Sequence, residues 1–142
     1  MADLRATKEV KVGDSAEFRK TMTEAEQAFY TGIGGNMHPL YVNRVHATSS
    51  EVGERLIFEL AIASLAHTAL AALGGPWMRL GRIALEFPTP ARIGDTVAAR
   101  AQVVEKTATR LNCRVECTRQ DGEVVSRGSA DLHPVARTTS AG

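Results

Sequence analysis

A chain of 142 residues has room for one domain with a real core and not for two. Hydrophobic residues make up 44% and charged residues 23%, the balance of an ordinary globular domain rather than a disordered or fibrous chain. The net charge is +1, with the cations scattered among acids, which excludes the clustered basic surface that nucleic-acid binding requires.

Residues 1–12 are polar and expected to be loosely held, as is the tail "ARTTSAG" at 136–142. The opening segment has no apolar core of the secretory type, so a cytoplasmic address is the expectation. "AEFRKTMT" alternates like a first strand. Thr23 followed by Glu26 has the spacing of a capping box and starts a short helix over 24–33. Ala25, Ala28 and Phe29 form its apolar side, and Gly32, Gly34 and Gly35 are expected to stop it.

After a loop comes "SSEVGERLIFELAIASLAHTALAALGG", the longest helical pattern in the chain. Ser49 or Ser50 can cap it, and Gly74-Gly75-Pro76 ends it. Leu56, Leu60, Ala63, Ala66, Leu70 and Leu73 recur at three- and four-residue steps, and alanine fills much of the rest. A helix apolar nearly all round is expected to be wrapped by other elements. Glu59, Ser64, His67 and Thr68 interrupt the run, which argues against a membrane span.

The remainder reads as strand: 78–93, 94–108, 109–120 and 123–135, with Asp121-Gly122 as a hairpin turn. In the third run Leu111, Cys113, Val115 and Cys117 alternate with Asn112, Arg114, Glu116 and Thr118, so one face is buried and the other wet. The two cysteines have no second ligand pair, so they read as small core hydrophobes and not as a metal site. The order predicts a single α+β domain over 1–142, an antiparallel sheet wrapped round one long central helix.

One loop carries more than architecture. In "YTGIGGNMHPLYVNRVHA", Tyr30, Ile33, Gly34, Gly35, Pro39, Leu40, Asn43 and Ala47 match a hydratase signature. "EFPTPARIGDTV" matches a second passage of the same family. Over roughly residues 10–135 the chain resembles the MaoC-like dehydratases and (R)-specific enoyl-CoA hydratases, which have the hotdog fold. The resemblance implies addition or removal of water at the β-carbon of an enoyl or 3-hydroxyacyl thioester. It also implies an acyl-CoA or acyl-carrier substrate, no cofactor, no nucleic-acid or membrane partner, and a homodimer with its site between subunits. Gly35, Pro39, Leu40, Asn43 and Phe58 are then expected to touch substrate, and a backbone N–H at the start of the central helix to face the thioester oxygen.

In that family an Asp and a His of the loop hold and activate the water; the matching positions here are Asn36 and Tyr41, and the Asn between them is His38. A carboxamide is no base near neutral pH, and a phenol ordinarily titrates near ~10. Glu59 and His38 are the remaining proton acceptors. Glu59 lies in the apolar turn "LIFELAI", where an unpartnered carboxylate would cost several kcal/mol, so it is paired, neutral or facing a cavity. The alternative for Glu59 is a surface pair with Arg55 one helical turn earlier. His38 is either an acid–base group or a loop cap. Asn36 orients a water or carbonyl, or simply makes a turn. Tyr41 donates into the pocket or sits at its rim. His46, His67 and His133 are expected to be structural or exposed, and Asp95 has no catalytic role. A thioesterase using Glu59 and a non-catalytic acyl-CoA-binding scaffold are the rival readings.

Overall fold

In a computed structural model, which describes residues 9–138, nine elements follow one another. They are β1 (Ser15–Thr21), α1 (Glu24–Gly34), α2 (Pro39–Val42), α3 (Arg44–Thr48), α4 (Glu59–Gly74), β2 (Met78–Glu86), β3 (Thr96–Lys106), β4 (Leu111–Arg119) and β5 (Val124–Pro134). The strands form one sheet in the order β1-β3-β4-β5-β2, every pairing antiparallel. Helix α4 touches all five strands. This is the hotdog arrangement expected from the sequence. The loose ends expected at 1–12 and 136–142 fall mostly outside the described residues. Within 9–12, Lys106 Nζ holds the Glu9 carboxylate and the Val10 carbonyl, each at 2.9 Å.

The alternation in β4 places Leu111, Cys113, Val115 and Cys117 in the core, both thiols free. On the outer face the register lines up Glu17, Arg100, Glu116, Arg127 and Glu86, one from each strand, as an alternating row of charge. Opposite charges directly across neighbouring strands favour this register over a slipped one, in which like charges would meet.

Helix α4 differs from its prediction in two respects. It begins at Glu59, not at Ser49 or Ser50. Gly53 has φ 78, outside the helical region, and the next residues are claimed by another segment. Ile57 N–H donates to Ala91 O at 2.8 Å, Ile93 N–H to Arg55 O at 3.1 Å, and Leu56 forms a bridge with Arg92. The extended hydrogen bonds to 91–93 outcompete the helical periodicity. The helix is also not enclosed on every side. Ala61, Ile62, Leu65, Ala66, Ala69, Leu70 and Leu73 are buried, whereas Leu60, His67, Thr68, Ala71 and Ala72 face outward.

Helix α1 runs through Gly32 and ends at Gly34; Gly35 follows with φ 70 and donates its N–H to Thr31 O at 2.8 Å. Its start is capped as expected, with Thr23 N–H donating to the Glu26 carboxylate at 2.8 Å. Its inward face is not the predicted one. Ala25, Ala28 and Phe29 are exposed, and the one buried residue is Gln27. The inward side is held by Gln27, whose amide satisfies backbone groups, and by Tyr30, which packs against the core.

Candidate active site

The loop after α1 is shaped by local hydrogen bonds. Asn36 Oδ1 accepts from His38 N–H at 2.9 Å, and His38 Nδ1 accepts from Leu40 N–H at 3.3 Å, so the imidazole caps α2. Pro39 takes the first helical position, where a missing N–H costs nothing. Asn43 closes α2 by donating to Pro39 O at 3.0 Å, then caps α3 by accepting from His46 N–H at 3.0 Å. Leu40 O accepts from Leu56 N–H at 3.0 Å and joins the loop to the segment leading into α4. These turns fix where Tyr41 points.

Tyr41 and Glu59 meet. The phenol donates to Glu59 Oε1, and the Tyr41 ring stacks on Phe58 with centroids 4.5 Å apart and planes 20° from parallel. Both Tyr41 and Glu59 are half-buried. Burial pushes the Tyr41 phenol up to about 12, and the hydrogen bond and negative charge of Glu59 push the same way. Across the neutral range the phenol is therefore a hydrogen-bond donor that does not give up its proton.

The pair lies in a cleft of about 410 Å³, lined by Tyr30, Ile33, Gly34, Asn36, Tyr41, Phe58, Glu59, Leu60 and Ser64. Glu59 also lines a smaller cavity of about 240 Å³, together with Leu56, Ile62, Phe87, Thr89, Pro90, Ala91 and Val125. Glu59 thus borders both an open cleft and a smaller recess of mixed lining. Because α4 starts at Glu59, the N–H groups of Glu59 and Leu60 have no helical acceptor; Ala61 and Ile62 already donate to Phe58 O. The helix dipole adds partial positive charge at that point. Asn36 contributes an amide whose oxygen is occupied by His38 N–H and whose Nδ2 meets no acceptor among the described residues.

The structure brings Asn36, Tyr41, Phe58 and Glu59 to one cleft. His38 is not among the lining residues, although its ring approaches Tyr41 edge-on at 5.6 Å. Gly35, Pro39, Leu40 and Asn43 lie in the turns that support the cleft and do not line it. Arg55 is not the partner of Glu59: it precedes the helix and pairs with Glu24 and Glu54. His46 and His67 are exposed, His133 is partly so, and Asp95 accepts from Arg92 N–H and Gln120 within a turn. Ser64 and Leu60 do not stand out as site residues in the sequence; both belong to the outward side of α4, visible only once the helix start is known. Gln27 does not stand out either, and its amide touches the backbone of both Tyr41 and Phe58. Among the described residues no three His, Cys, Asp or Glu side chains are grouped to share a metal, and no helix is long and apolar enough to cross a membrane.

Comparison with known proteins gives a consistent result. The MaoC-like domain family matches residues 6–124. An (R)-specific enoyl-CoA hydratase of Rhodospirillum rubrum is 30% identical over 132 residues, covering 91% of each chain. A 3-hydroxybutyryl-CoA dehydratase of Methylorubrum extorquens is 29% identical over 124 residues, covering 86% of this chain and 79% of its own. The solved structure of the unliganded R-hydratase PhaJ1 from Pseudomonas aeruginosa superposes with a TM-score of 0.84 at 23% identity, over 91% of this chain and 84% of that one.

Proposed function

The chain belongs to the MaoC-like domain family, and from that premise we propose that it is an acyl-CoA hydratase or dehydratase whose general base is Glu59. The observation that carries the assignment is the hydrogen bond from the Tyr41 phenol to Glu59 at the mouth of α4. It puts a carboxylate in the cleft beside Asn36 and Tyr41, the positions that, by the loop's resemblance, match the family's Asp and His.

In the proposed reaction the thioester carbonyl lies against the N–H groups of Glu59 and Leu60, with Asn36 Nδ2 as a further donor. Donors fixed in advance at the oxygen stabilise the enolate that forms when water attacks the β-carbon. The water oxygen bonds to the β-carbon; the proton it loses passes to Glu59 and from there to the α-carbon, which restores the carboxylate. Dehydration runs the same steps backwards. Tyr41 holds Glu59 in place without competing for the proton, since burial and the Glu59 charge push its phenol up to about 12. The recess that Glu59 shares with Leu56, Ile62, Phe87 and Val125 offers aliphatic and aromatic walls to the acyl end of the substrate.

We further propose a homodimer that works in the cytoplasm. Phe29, Ile33, Met37 and Leu60 are large, apolar and exposed, and Ile33 and Leu60 form walls of the cleft itself. An apolar patch of that kind beside a binding site favours a partner subunit that completes it. The two thiols, buried and unpaired, suit a reducing compartment. The functional test uses the purified protein with a panel of 2-enoyl-CoA thioesters. Loss of enoyl absorbance with no thiol released is expected; thiol release without hydration would replace this reading with thioester hydrolysis.

A further inference from the structure

Gln27 is the one buried residue of α1, 4% exposed, and its whole amide is used. Nε2 donates to Tyr41 O at 3.1 Å and to Leu56 O at 2.7 Å; Oε1 accepts the Phe58 N–H at 3.4 Å. The orientation is fixed by chemistry. A flipped amide would set its oxygen against two carbonyls and its NH2 against an N–H donor. The three backbone groups it holds belong to Tyr41, to Phe58, the N-cap of α4 on which the Tyr41 ring stacks, and to Leu56, two residues before Phe58. Tyr41 and Glu59 come from separate segments, 18 residues apart, and Gln27 grips both segments from a third.

Resting on the assignment of Glu59 and Tyr41 above, we infer that Gln27 is a positioning residue that sets the reach of the Tyr41 phenol to the Glu59 carboxylate. It hydrogen-bonds neither side chain of the pair and acts through the backbone of Tyr41 and of Leu56 and Phe58, the residues leading into Glu59. Apolar anchoring of α1 is already supplied by Tyr30, which packs against the core, while Ala25, Ala28 and Phe29 are exposed, so the amide is not needed merely to hold the helix down. An amide satisfying three backbone groups, one in α2 and two in the segment leading into α4, specifies distance, not merely burial.

The test is a double-mutant cycle in the full chain between Gln27→Met, which keeps length but none of the hydrogen bonds, and Tyr41→Phe. Gln27→Met is expected to lower kcat for enoyl-CoA hydration about ten- to a hundredfold with KM changed less than about threefold. With Tyr41→Phe already present, the same change is expected to cost less than about threefold, because the contact it positions is gone. Equal losses in both backgrounds, or a loss confined to KM, would overturn the inference. A second readout does not depend on turnover: the 13Cζ resonance of Tyr41, distinguished from that of Tyr30 by its absence in Tyr41→Phe. It is expected to move toward the free-tyrosine position in Gln27→Met while Tyr30 stays; an unmoved Tyr41 signal counts against positioning. If Tyr41→Phe and Glu59→Gln both leave hydration intact, the catalytic assignment fails and the resonance alone decides on Gln27. Should Gln27→Met lose cooperative unfolding, Gln27→Glu, of the same size, takes its place in the cycle. A smaller loss in the Tyr41→Phe background then supports positioning, and equal losses overturn it.

Discussion

Tyr41 contributes by keeping its proton. Its phenol is raised to about 12 by burial first and by Glu59 second, so the stabilisation from this hydrogen bond is complete below the ordinary tyrosine range near ~10 and is lost as pH rises through 12. Tyr41→Phe is expected to lower the denaturant midpoint at pH 7 and pH 9 alike, with no change in the difference between them. A difference that already shrinks between those two values would mean the phenol ionises early and is not held as described. For turnover, Tyr41→Phe should cost about tenfold or more, since the carboxylate loses its fixed donor. His38→Ala should stay within about threefold, because the imidazole serves the α2 turn; steady-state hydration assays check both. Glu59 was legible in the sequence because a charge inside "LIFELAI" calls for a physical explanation. Gln27 was not, since a glutamine beside Glu24 and Glu26 at a helix start reads as a solvated residue.

Among the elements, boundaries were where sequence and structure parted. Strands β3, β4 and β5 followed their alternation and the Asp121-Gly122 turn, because burial on one face repeats every second residue, whereas the run expected over 78–93 is strand only over Met78–Glu86, its end pairing with 55–57 instead. Helix α4 was overextended, since residues 55–57 have helical spacing but give their backbone hydrogen bonds to 91–93, a segment distant in sequence. The true start identifies the N–H groups expected at the beginning of this helix as those of Glu59 and Leu60, on which the proposed chemistry relies. The cap of α1 was legible, and it carries a prediction. Lys20, together with the Thr23 hydroxyl and N–H, holds the Glu26 carboxyl down at about 2, so its stabilisation is present above the usual carboxylate range and fades as pH falls toward 2. Glu26→Gln should cost about 0.5–1 kcal/mol at pH 7 and converge with wild type by about pH 2, measured by urea denaturation. A second element-level prediction concerns Gly128 in β5. A Cβ there would meet Ala84 O of β2 at 1.8 Å, so Gly128→Ala should force the β5–β2 pairing apart and destabilise by about 1–3 kcal/mol or more. An unchanged thermal midpoint for that variant would contradict the observed register.

For the whole molecule, one order of elements explains both faces. The outer face of the sheet carries alternating charge across all five strands and suits water. The helix side carries the cleft and the exposed apolar residues, and there a second subunit is proposed. Leu60→Asp is expected to shift the protein from dimer to monomer in sedimentation or light scattering and to lower turnover with it. A fully dimeric Leu60→Asp protein would place the interface elsewhere. The overall architecture was legible because periodicities of 2 and 3.6 report burial directly. The site was legible only in part, because Tyr41 and Glu59 meet through loop geometry that no spacing encodes.

The most direct measurement is the rate of enoyl-CoA hydration by Glu59→Gln, which keeps the shape of the side chain and can still accept from Tyr41 but cannot take a proton from water. With Glu59 as the base, kcat is expected to fall about a hundredfold or more while the protein stays folded and dimeric. Turnover within about threefold of wild type would contradict it, and the proton acceptor would have to be sought elsewhere in the cleft.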